Sequence, residues 1–302
     1  MNFIDIKDIT INDFHHIMDL ATKYRHNVSS KPLADKHLAM IFTKASTRTR
    51  VSFEVGMNQL GGSSVVLRGD EMQLGRGETI GDTAQVLSRF VDMVMIRTYD
   101  HEDIVELAKF AQIPVINGLS DRSHPCQIMA DLLTLQQHKG DLRQCKVAWL
   151  GDGNNVCRSW VQASLLAGCA LSLAIPSAYN SVKDDIADAI QAGAKITYFD
   201  SGNADKDIAD AVRDADCVIA DCFVSMGDQD TKARLHALMP YQVNASVMAK
   251  AKKDAIFMHC LPAHRGEEVS AEVIDGAQSV VFDEAENRIH AQKAIMLWCM
   301  GY

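Results

Sequence analysis

Short apolar runs rich in branched residues alternate along this chain with segments whose apolar residues recur every three or four positions. The runs predict strands, and the helical spacing predicts helices. In the first part of the chain the predicted strands are residues 37–42, 63–68, 93–98 and 114–119. The predicted helices that follow them are residues 50–62, 79–91, 103–111 and 126–140.

The same alternation restarts after Gly140. Here the predicted strands are residues 146–152, 171–176, 195–200, 217–223 and 255–262, with helices at 158–169, 182–194 and 207–215. Near-continuous apolar strands between helices are typical of parallel sheets covered on both faces. We therefore expect an α/β fold with two doubly wound parallel-sheet domains and an active-site cleft between them. The expected domains are residues 1–140 and 141–285, with an amphipathic C-terminal helix, 286–302, packing back on the first domain.

Composition narrows the class of protein. The chain has 302 residues, of which 47% are hydrophobic and 23% charged, with a formal net charge of -9. This is typical of a globular protein and argues against a nucleic-acid surface. No apolar run approaches the ~20 residues of a membrane span, and the N-terminus lacks a basic-then-apolar signal. Eight cysteines form no C-x-x-C pair, which favours reduced cytoplasmic thiols over disulfides or a metal site.

Polar clusters follow the predicted strands, where parallel α/β sheets bind ligands. The stretch "KASTRTR" follows the first strand and opens a helix. Its hydrogen-bonding side chains are those of Ser46, Thr47, Arg48 and Thr49. Helix N-termini attract anions, so this cluster predicts a phosphate or carboxylate site rather than an ordinary capped helix. Arg50 is expected to be structural and to pair with Glu54 one turn later.

Three further polar side chains follow the next strands of the first series. Arg97 lies at the end of the third strand, and His124 and Gln127 stand where "SHPCQ" opens a helix after the fourth strand. Pro125 suits the first helical turn. Taken singly, Arg97 is as well explained as a solvated side chain and His124 as a helix cap. These residues therefore support a ligand site only in combination with the cluster at residues 46–49.

The turn "GDGNNV" in the second series invites a dinucleotide interpretation. Val156 and Cys157 stand where the last glycine of that motif belongs, and Pro176 replaces the acid that binds ribose. These departures count against a nicotinamide-dependent dehydrogenase, although that function remains an alternative. The two consecutive amides suit a small polar ligand such as an amino acid.

Two more clusters end strands of the second series. In "DCFVSMG", Asp221 offers a carboxylate suited to an ammonium group, followed by Ser225 and Met226. In "HCLP", Cys260 can be a nucleophile, a ligand contact or an inert buried thiol. A non-catalytic amino-acid-binding protein therefore also remains an alternative.

Together these motifs resemble the aspartate/ornithine carbamoyltransferase family over nearly the whole chain. "STRTR" and "HPCQ" are similar to its carbamoyl-phosphate motifs, and "GDGNN", "DCFVSMG" and "HCLP" to its ornithine branch. Ala45 departs from the proline that is common at that position. The resemblance implies that residues 1–140 bind carbamoyl phosphate and residues 141–285 bind ornithine. It also implies transfer of the carbamoyl group to the δ-amine of L-ornithine, giving L-citrulline and phosphate without a cofactor.

The resemblance further implies roles for matching positions. The implied carbamoyl-phosphate ligands are Ser46, Thr47, Arg48, Thr49, Gln73, Arg97, His124, Gln127, Cys260, Leu261 and Arg288, with Gln73 reaching into a neighbouring subunit. The implied ornithine ligands are Asn155, Asp221, Ser225 and Met226. The implied catalytic residues are Arg97, His124, Asp221 and Cys260.

The resemblance also implies a cytoplasmic homotrimer, or a multiple of trimers, in arginine metabolism, and a mobile loop after Gly227 that closes over ornithine. Putrescine and acetylated ornithine remain rival acceptors. The biosynthetic or catabolic direction stays open.

Overall fold

The computed structural model describes residues 1–26, 29–72, 77–224 and 230–302. The chain divides into two compact units, the first formed by Met1–Leu133 with Glu286–Tyr302 and the second by Thr134–Ala285. In the part of the chain that is described, no helix combines the length and apolar character needed to cross a membrane.

The first unit contains a parallel four-stranded sheet with the order β2-β1-β3-β4. Its elements are α1 (Ile11–His26), β1 (His37–Phe42), α2 (Thr47–Gln59), β2 (Ser63–Arg68), α3 (Ile80–Leu87), β3 (Met93–Arg97), α4 (His101–Phe110), β4 (Val115–Leu119) and the start of α5 (Pro125–Lys139). Residues 38–41 of β1 are all fully buried. Since neighbouring residues of a strand face opposite sides, both faces of the sheet are covered.

The strand order creates a topological switch point in the first unit. After β1 the chain moves to β2 on one side, and it then returns past β1 to β3 and β4 on the other side. The segments that follow β1 and β3 therefore leave neighbouring strands in opposite directions, which opens a crevice at their carboxyl ends. The "KASTRTR" cluster and Arg97 begin at this crevice.

The second unit repeats this arrangement with the order β7-β6-β5-β8-β9, again parallel, and its switch point lies between β5 and β8. Its elements are β5 (Lys146–Leu150), α6 (Asn155–Ala167), β6 (Ala170–Ala174), α7 (Lys183–Gln191), β7 (Ile196–Phe199), α8 (Ala204–Val212), β8 (Cys217–Ala220), α9 (Thr231–Leu238), α10 (Ala245–Met248), β9 (Ile256–Met258), α11 (Ala271–Ile274) and α12 (Val281–Cys299).

The prediction of two doubly wound parallel-sheet units is confirmed, whereas the cleft between them stays a prediction. Both borders of the compact units lie inside helices, at Thr134 in α5 and at Glu286 in α12. The domain bounds 1–140, 141–285 and 286–302 stay a prediction. Strands β8 and β9 are shorter than predicted, because polar residues and Pro262 follow their apolar cores. The stretch that resembled a mobile loop is helical from Thr231 onward.

The last residues of α12 belong to the first unit and pack on its N-terminal helices. Lys293, which is buried, donates from Nζ to the Tyr24 carbonyl at 2.6 Å and to Gln59 Oε1 at 2.9 Å. Trp298 donates from Nε1 to Asp13 Oδ1 at 3.0 Å. The C-terminal segment thereby joins α1 and α2.

Candidate active site

The start of α2 is built to attract an anion. Ser46 is the N-cap residue, with an extended backbone and a side-chain oxygen that accepts from the Thr49 N–H at 3.2 Å. The first turn contains no acidic residue. The positive end of the helix dipole and the remaining N–H groups therefore face no carboxylate from their own turn.

The Thr49 hydroxyl lies between two arginines. Its Oγ1 accepts from Arg97 Nη1 at 3.2 Å and from Arg288 Nη2 at 3.2 Å. Thr49 and Arg288 are buried, and Arg97 is half-buried. Because a hydroxyl has one proton to donate, Thr49 can accept these two bonds and still donate to a ligand.

Arg288 continues into a second chain of contacts on α5. Its Nη1 donates to Gln127 Oε1 at 2.5 Å, and Gln127 Nε2 donates to Asp131 Oδ1 at 2.7 Å. All three side chains are buried. Asp131 thus orients the Gln127 amide, which in turn helps to hold the Arg288 guanidinium.

His124 immediately precedes α5 and is buried. Burial lowers the pKa of His124 well below its usual value of 6.5, and the positive charges of Arg288, Arg97, Arg48 and Lys44 lower it further. The imidazole is therefore neutral near pH 7, with one N–H donor and one acceptor nitrogen. The same four cations create a positive field at this end of the first sheet.

The remaining residues of the "KASTRTR" stretch differ in their exposure and contacts. Arg48 is half-buried and Thr47 is exposed. Arg50 Nε lies 3.7 Å from Glu54 Oε2 with both side chains exposed, which confirms the predicted pair. Gln73 lies outside the described residues.

The "GDGNN" turn of the second unit serves the packing of the protein itself. Gly151 has φ +109°, and a Cβ at this position would lie 2.6 Å from Phe223 Cε1. A Cβ on Gly153 would lie 3.0 Å from Asn180 Cα. Both glycines thus make room for neighbouring parts of the chain, an explanation that needs no bound dinucleotide.

Asn154 and Asp221 meet across the switch point of the second sheet. Asn154 caps α6, because its Oδ1 accepts from the N–H groups of Val156 and Cys157 at 3.0 and 3.1 Å. Its Nδ2 donates to Asp221 Oδ2 at 2.7 Å. Asn155, the expected ornithine ligand, is the next residue and is half-buried. No pattern in the sequence pairs Asn154 with Asp221.

Asp221 also binds the chain that follows β9. Its Oδ1 accepts from the Cys222 N–H at 2.8 Å and from Cys260 Sγ at 3.2 Å. Burial raises the pKa of the Cys260 thiol well above its usual value of 9.0, and the negative charge of Asp221 raises it further. Cys260 is therefore a protonated donor rather than a thiolate nucleophile. Ser225 and Met226 lie outside the described residues.

Arg234 of α9 joins the two strand-end segments of the second unit, and sequence reasoning missed it. Its Nε donates to the Phe223 carbonyl at 2.6 Å, and its Nη2 donates to the buried Asp152 carboxylate. The guanidinium also lies 5.0 Å from the centre of the Tyr179 ring. Asp152 and Arg234 are far apart in sequence, so only the fold reveals their pairing.

Among the described residues, two overlapping groups of side chains could hold a metal ion, and the second consists of Cys222, His264 and Glu268. Asp221, Cys222 and His259 are buried, and each offers a ligand atom within 4.8 Å of the others. A thiolate, an imidazole and a carboxylate are ligands that suit Zn²⁺. Cys222, however, donates from its thiol to the Pro262 carbonyl at 2.9 Å. The expectation of a reaction without a metal or cofactor stays a prediction.

The described site residues thus form one group in each unit. In the first unit, hydrogen bonds join Thr49, Arg97, Gln127 and Arg288. The positive charges of the two arginines lower the pKa of His124. In the second unit, Asp221 joins Asn154 and Cys260. Leu261, although expected to bind carbamoyl phosphate, also lies in the second unit.

Comparisons with known proteins also divide the chain into two parts, but they place α12, with Arg288, in the second part. Residues 1–137 match the carbamoyl-P binding domain of the aspartate/ornithine carbamoyltransferases, and residues 143–299 match their Asp/Orn binding domain. An ornithine carbamoyltransferase of Nitrobacter winogradskyi is 54% identical over 99% of this chain and 97% of its own.

Solved structures give the same result. The ornithine carbamoyltransferase of Pyrococcus furiosus has a TM-score of 0.91 and 44% identity, covering 98% of this chain and 95% of its own. The anabolic ornithine carbamoyltransferase of Campylobacter jejuni has a TM-score of 0.91 and 36% identity, covering 99% and 98%. The chain therefore belongs to the aspartate/ornithine carbamoyltransferase family.

Proposed function

We infer that this chain transfers the carbamoyl group of carbamoyl phosphate to the δ-amine of L-ornithine, giving L-citrulline and phosphate. The observation that carries the proposal is the Thr49 hydroxyl between Arg97 and Arg288 at the first switch point. Thr49 and Arg97 belong to the part of the chain that matches the carbamoyl-P binding domain, and Arg288 belongs to the same compact unit. Relatives named ornithine carbamoyltransferase match over 99% of the chain.

The first unit would bind the phosphate of carbamoyl phosphate at the start of α2. Ser46, Thr47, Arg48 and Thr49 supply hydroxyl and guanidinium donors there, and the free N–H groups of the helix add to them. Gln73 would complete this site from a neighbouring subunit. The positive field of Lys44, Arg48, Arg97 and Arg288 favours a ligand that carries negative charge.

The carbamoyl oxygen would accept hydrogen bonds from Arg97, His124 and Thr49. These donors stabilise the negative charge that develops on this oxygen as the amine attacks. A neutral His124 is suited to this role, since its N–H can donate without adding a further charge beside the arginines. Gln127 and Arg288 would hold the same group, together with Cys260 and the Leu261 carbonyl.

The second unit would bind ornithine. Asp221 would pair with an ammonium group of the substrate, and Asn154 and Cys260, which both donate to this carboxylate, would fix its orientation. Asn155, Ser225 and Met226 would supply the other contacts. The match to an Asp/Orn binding domain supports this assignment.

The reaction would proceed by direct transfer. The neutral δ-amine attacks the carbamoyl carbon, a C–N bond forms, and a tetrahedral intermediate carries the charge on the former carbonyl oxygen. The C–O bond to phosphate then breaks, the amine nitrogen loses its proton, and citrulline and phosphate remain. The protonated Cys260 thiol argues against a covalent carbamoyl-cysteine.

We also propose a cytoplasmic homotrimer that functions in arginine biosynthesis. The similar Campylobacter jejuni protein is an anabolic ornithine carbamoyltransferase, which supports the direction. Eight cysteines without a disulfide are typical of a reducing compartment.

Val65 and Phe90 are 46% and 71% exposed, and exposed apolar side chains of this kind often mark contacts between subunits. Light scattering should give three times the 33.2 kDa chain mass, or a multiple of that.

The direct test is the stoichiometry of the reaction. The wild-type protein, given carbamoyl phosphate and L-ornithine, should form citrulline and phosphate in equal amounts without any added cofactor. Binding of ornithine without product formation would instead indicate an amino-acid-binding protein, and tight binding of NAD would indicate a dehydrogenase.

A further inference from the structure

We propose that His259 and Glu268 act as positioning residues for the reaction, because they hold the Cys260–Leu261 turn in its working conformation. This inference rests on the proposed function, in which the Cys260 thiol and the Leu261 carbonyl touch the substrates. Neither His259 nor Glu268 is exposed to solvent, so neither would touch a substrate directly.

The turn that they hold has an unfavourable backbone conformation. Leu261 has φ +57°, in the left-handed region that residues other than glycine rarely adopt. Such residues persist only where their surroundings enforce them, and they are concentrated at functional sites. The conformation of Leu261 therefore requires a specific structural support.

His259 supplies this support through its ring. The Leu261 N–H donates to His259 Nδ1 at 2.9 Å. Because Nδ1 accepts this bond, the proton of the neutral ring is on Nε2. Nε2 lies 3.2 Å from Glu268 Oε1, without the alignment of a hydrogen bond, so the carboxylate favours this tautomer through its negative charge.

Glu268 also binds the backbone beyond the turn, at His264. Its Oε1 accepts from the His264 N–H at 2.5 Å, so one carboxylate is close to both the ring of His259 and the backbone three residues beyond Leu261. Burial alone would raise the pKa of Glu268, but its contacts with His259 and the His264 N–H outweigh burial and lower it. Glu268 is therefore ionised at neutral pH.

Glu284 of α12 binds the backbone just before the turn, at His259. Its Oε2 accepts from the His259 N–H at 2.8 Å, and its side chain is buried. The backbone N–H groups of residues 259, 261 and 264 are thus each bound by a buried side chain. Cys260, whose thiol donates to Asp221, lies between the first two of these anchors.

The experiment separates the Nδ1 acceptor of His259 from the bulk of its side chain. H259L removes the acceptor, whereas H259N keeps one, because the Asn Oδ1 stands at the same number of bonds from the backbone as His Nδ1. We expect H259L to lower kcat for citrulline by about 100-fold and H259N to recover most of that loss. H15N is the matched control, since His15 is an exposed histidine that lies outside the segment from His259 to Glu268.

A double variant tests whether His259 and Glu268 act as one unit. E268M should lower kcat in the same way as H259L, and H259L/E268M should be little slower than H259L alone. Fold-losses that multiply in the double variant would overturn the proposal. So would an H259N protein that is folded but as slow as H259L, or an H259L protein with wild-type kcat.

A spectroscopic measurement decides the matter should H259L not fold. Nitrogen NMR of labelled histidines in the wild-type protein should show His259 with its proton on Nε2. A proton on Nδ1 would contradict the Leu261 contact and overturn the proposal. If the wild-type protein formed no citrulline, the proposed function would be contradicted. The position of the His259 proton would still be measured by NMR, so the two failures can be distinguished.

Discussion

At the residue scale, the site of the first unit depends on the Thr49 hydroxyl. Arg97 comes from the end of β3 and Arg288 from α12, and both donate to this oxygen. Arg288 is 239 positions from Thr49 in the sequence, so no local pattern could predict their contact. The position of Thr49 at the start of α2, in contrast, follows from the apolar strand before it and the helix after it.

Removing this hydroxyl should impair the reaction. In T49V both guanidinium groups lose their shared acceptor, and the carbamoyl oxygen loses a donor. We expect kcat to fall by about 100-fold in a citrulline assay, the usual effect of losing one donor to a developing oxyanion. T197V, which changes an exposed threonine on β7, is the matched control. Equal rates for both variants would contradict the role of Thr49.

The depressed pKa of His124 predicts a pH-dependent stability. In the unfolded chain this histidine takes up a proton as the pH falls through about 6.5, whereas in the folded protein burial and four cations prevent it. The unfolded state therefore binds more protons below pH 6.5, and the free energy of unfolding should decrease there as pH falls. One such group contributes at most about 1.4 kcal/mol per pH unit.

This dependence can be isolated with a variant. The free energy of unfolding should be measured by denaturant between pH 5 and pH 6.5, which is roughly one and a half units below the ordinary histidine pKa. As the pH falls, this free energy should decrease less steeply in H124Q than in wild type. H15Q, which replaces an exposed histidine of the same unit, should keep the wild-type slope. Identical slopes for H124Q and wild type would mean that His124 titrates normally in the folded protein.

At the element scale, the sequence predicts most strands and the polar clusters that follow them, because both depend on local patterns. It did not predict α1, although Phe14, Ile17, Met18 and Ala21 are buried at helical spacing and offered a usable signal. Helix α9 offered little signal, since only Leu238 among its residues is buried. Its place depends on Arg234, whose partners are distant in sequence.

The turn after β5 should not tolerate a side chain at Gly151. G151A combines the strain of φ +109° with a Cβ only 2.6 Å from Phe223 Cε1. G193A is the matched control, because Gly193 has φ +101° and no atom within 4 Å of its Cβ position. We expect G193A to cost about 1–3 kcal/mol of unfolding free energy and G151A about 1–3 kcal/mol more. Equal costs would show that Phe223 adjusts freely.

Arg234 should stabilise the second unit by joining its strand-end segments. R234M removes a charged partner from the buried Asp152 carboxylate and a donor from the Phe223 carbonyl. We expect the free energy of unfolding to fall by about 3 kcal/mol. R213M is the control, since the exposed side chain of Arg213 pairs with the half-buried Asp210, a contact worth about 0–1 kcal/mol. Similar losses in the two variants would mean that the Arg234 contacts add little.

At the scale of the whole molecule, two parallel sheets each provide a switch point, and each switch point carries its own polar group. The cationic group of the first unit suits an anion such as carbamoyl phosphate, and the Asp221 carboxylate of the second suits an ammonium group. Strand order cannot be read from local patterns, so the sequence predicted parallel sheets without predicting which strand ends adjoin.

The choice of acceptor amine is the sharpest test of the proposed carbamoyl transfer. The wild-type protein should be assayed with carbamoyl phosphate and, in turn, L-ornithine, putrescine, N-acetylornithine and L-aspartate. We predict rapid phosphate release matched by citrulline with L-ornithine, and little product with the other three amines. Preferential carbamoylation of any other amine, or no transfer to ornithine, would contradict the proposed function.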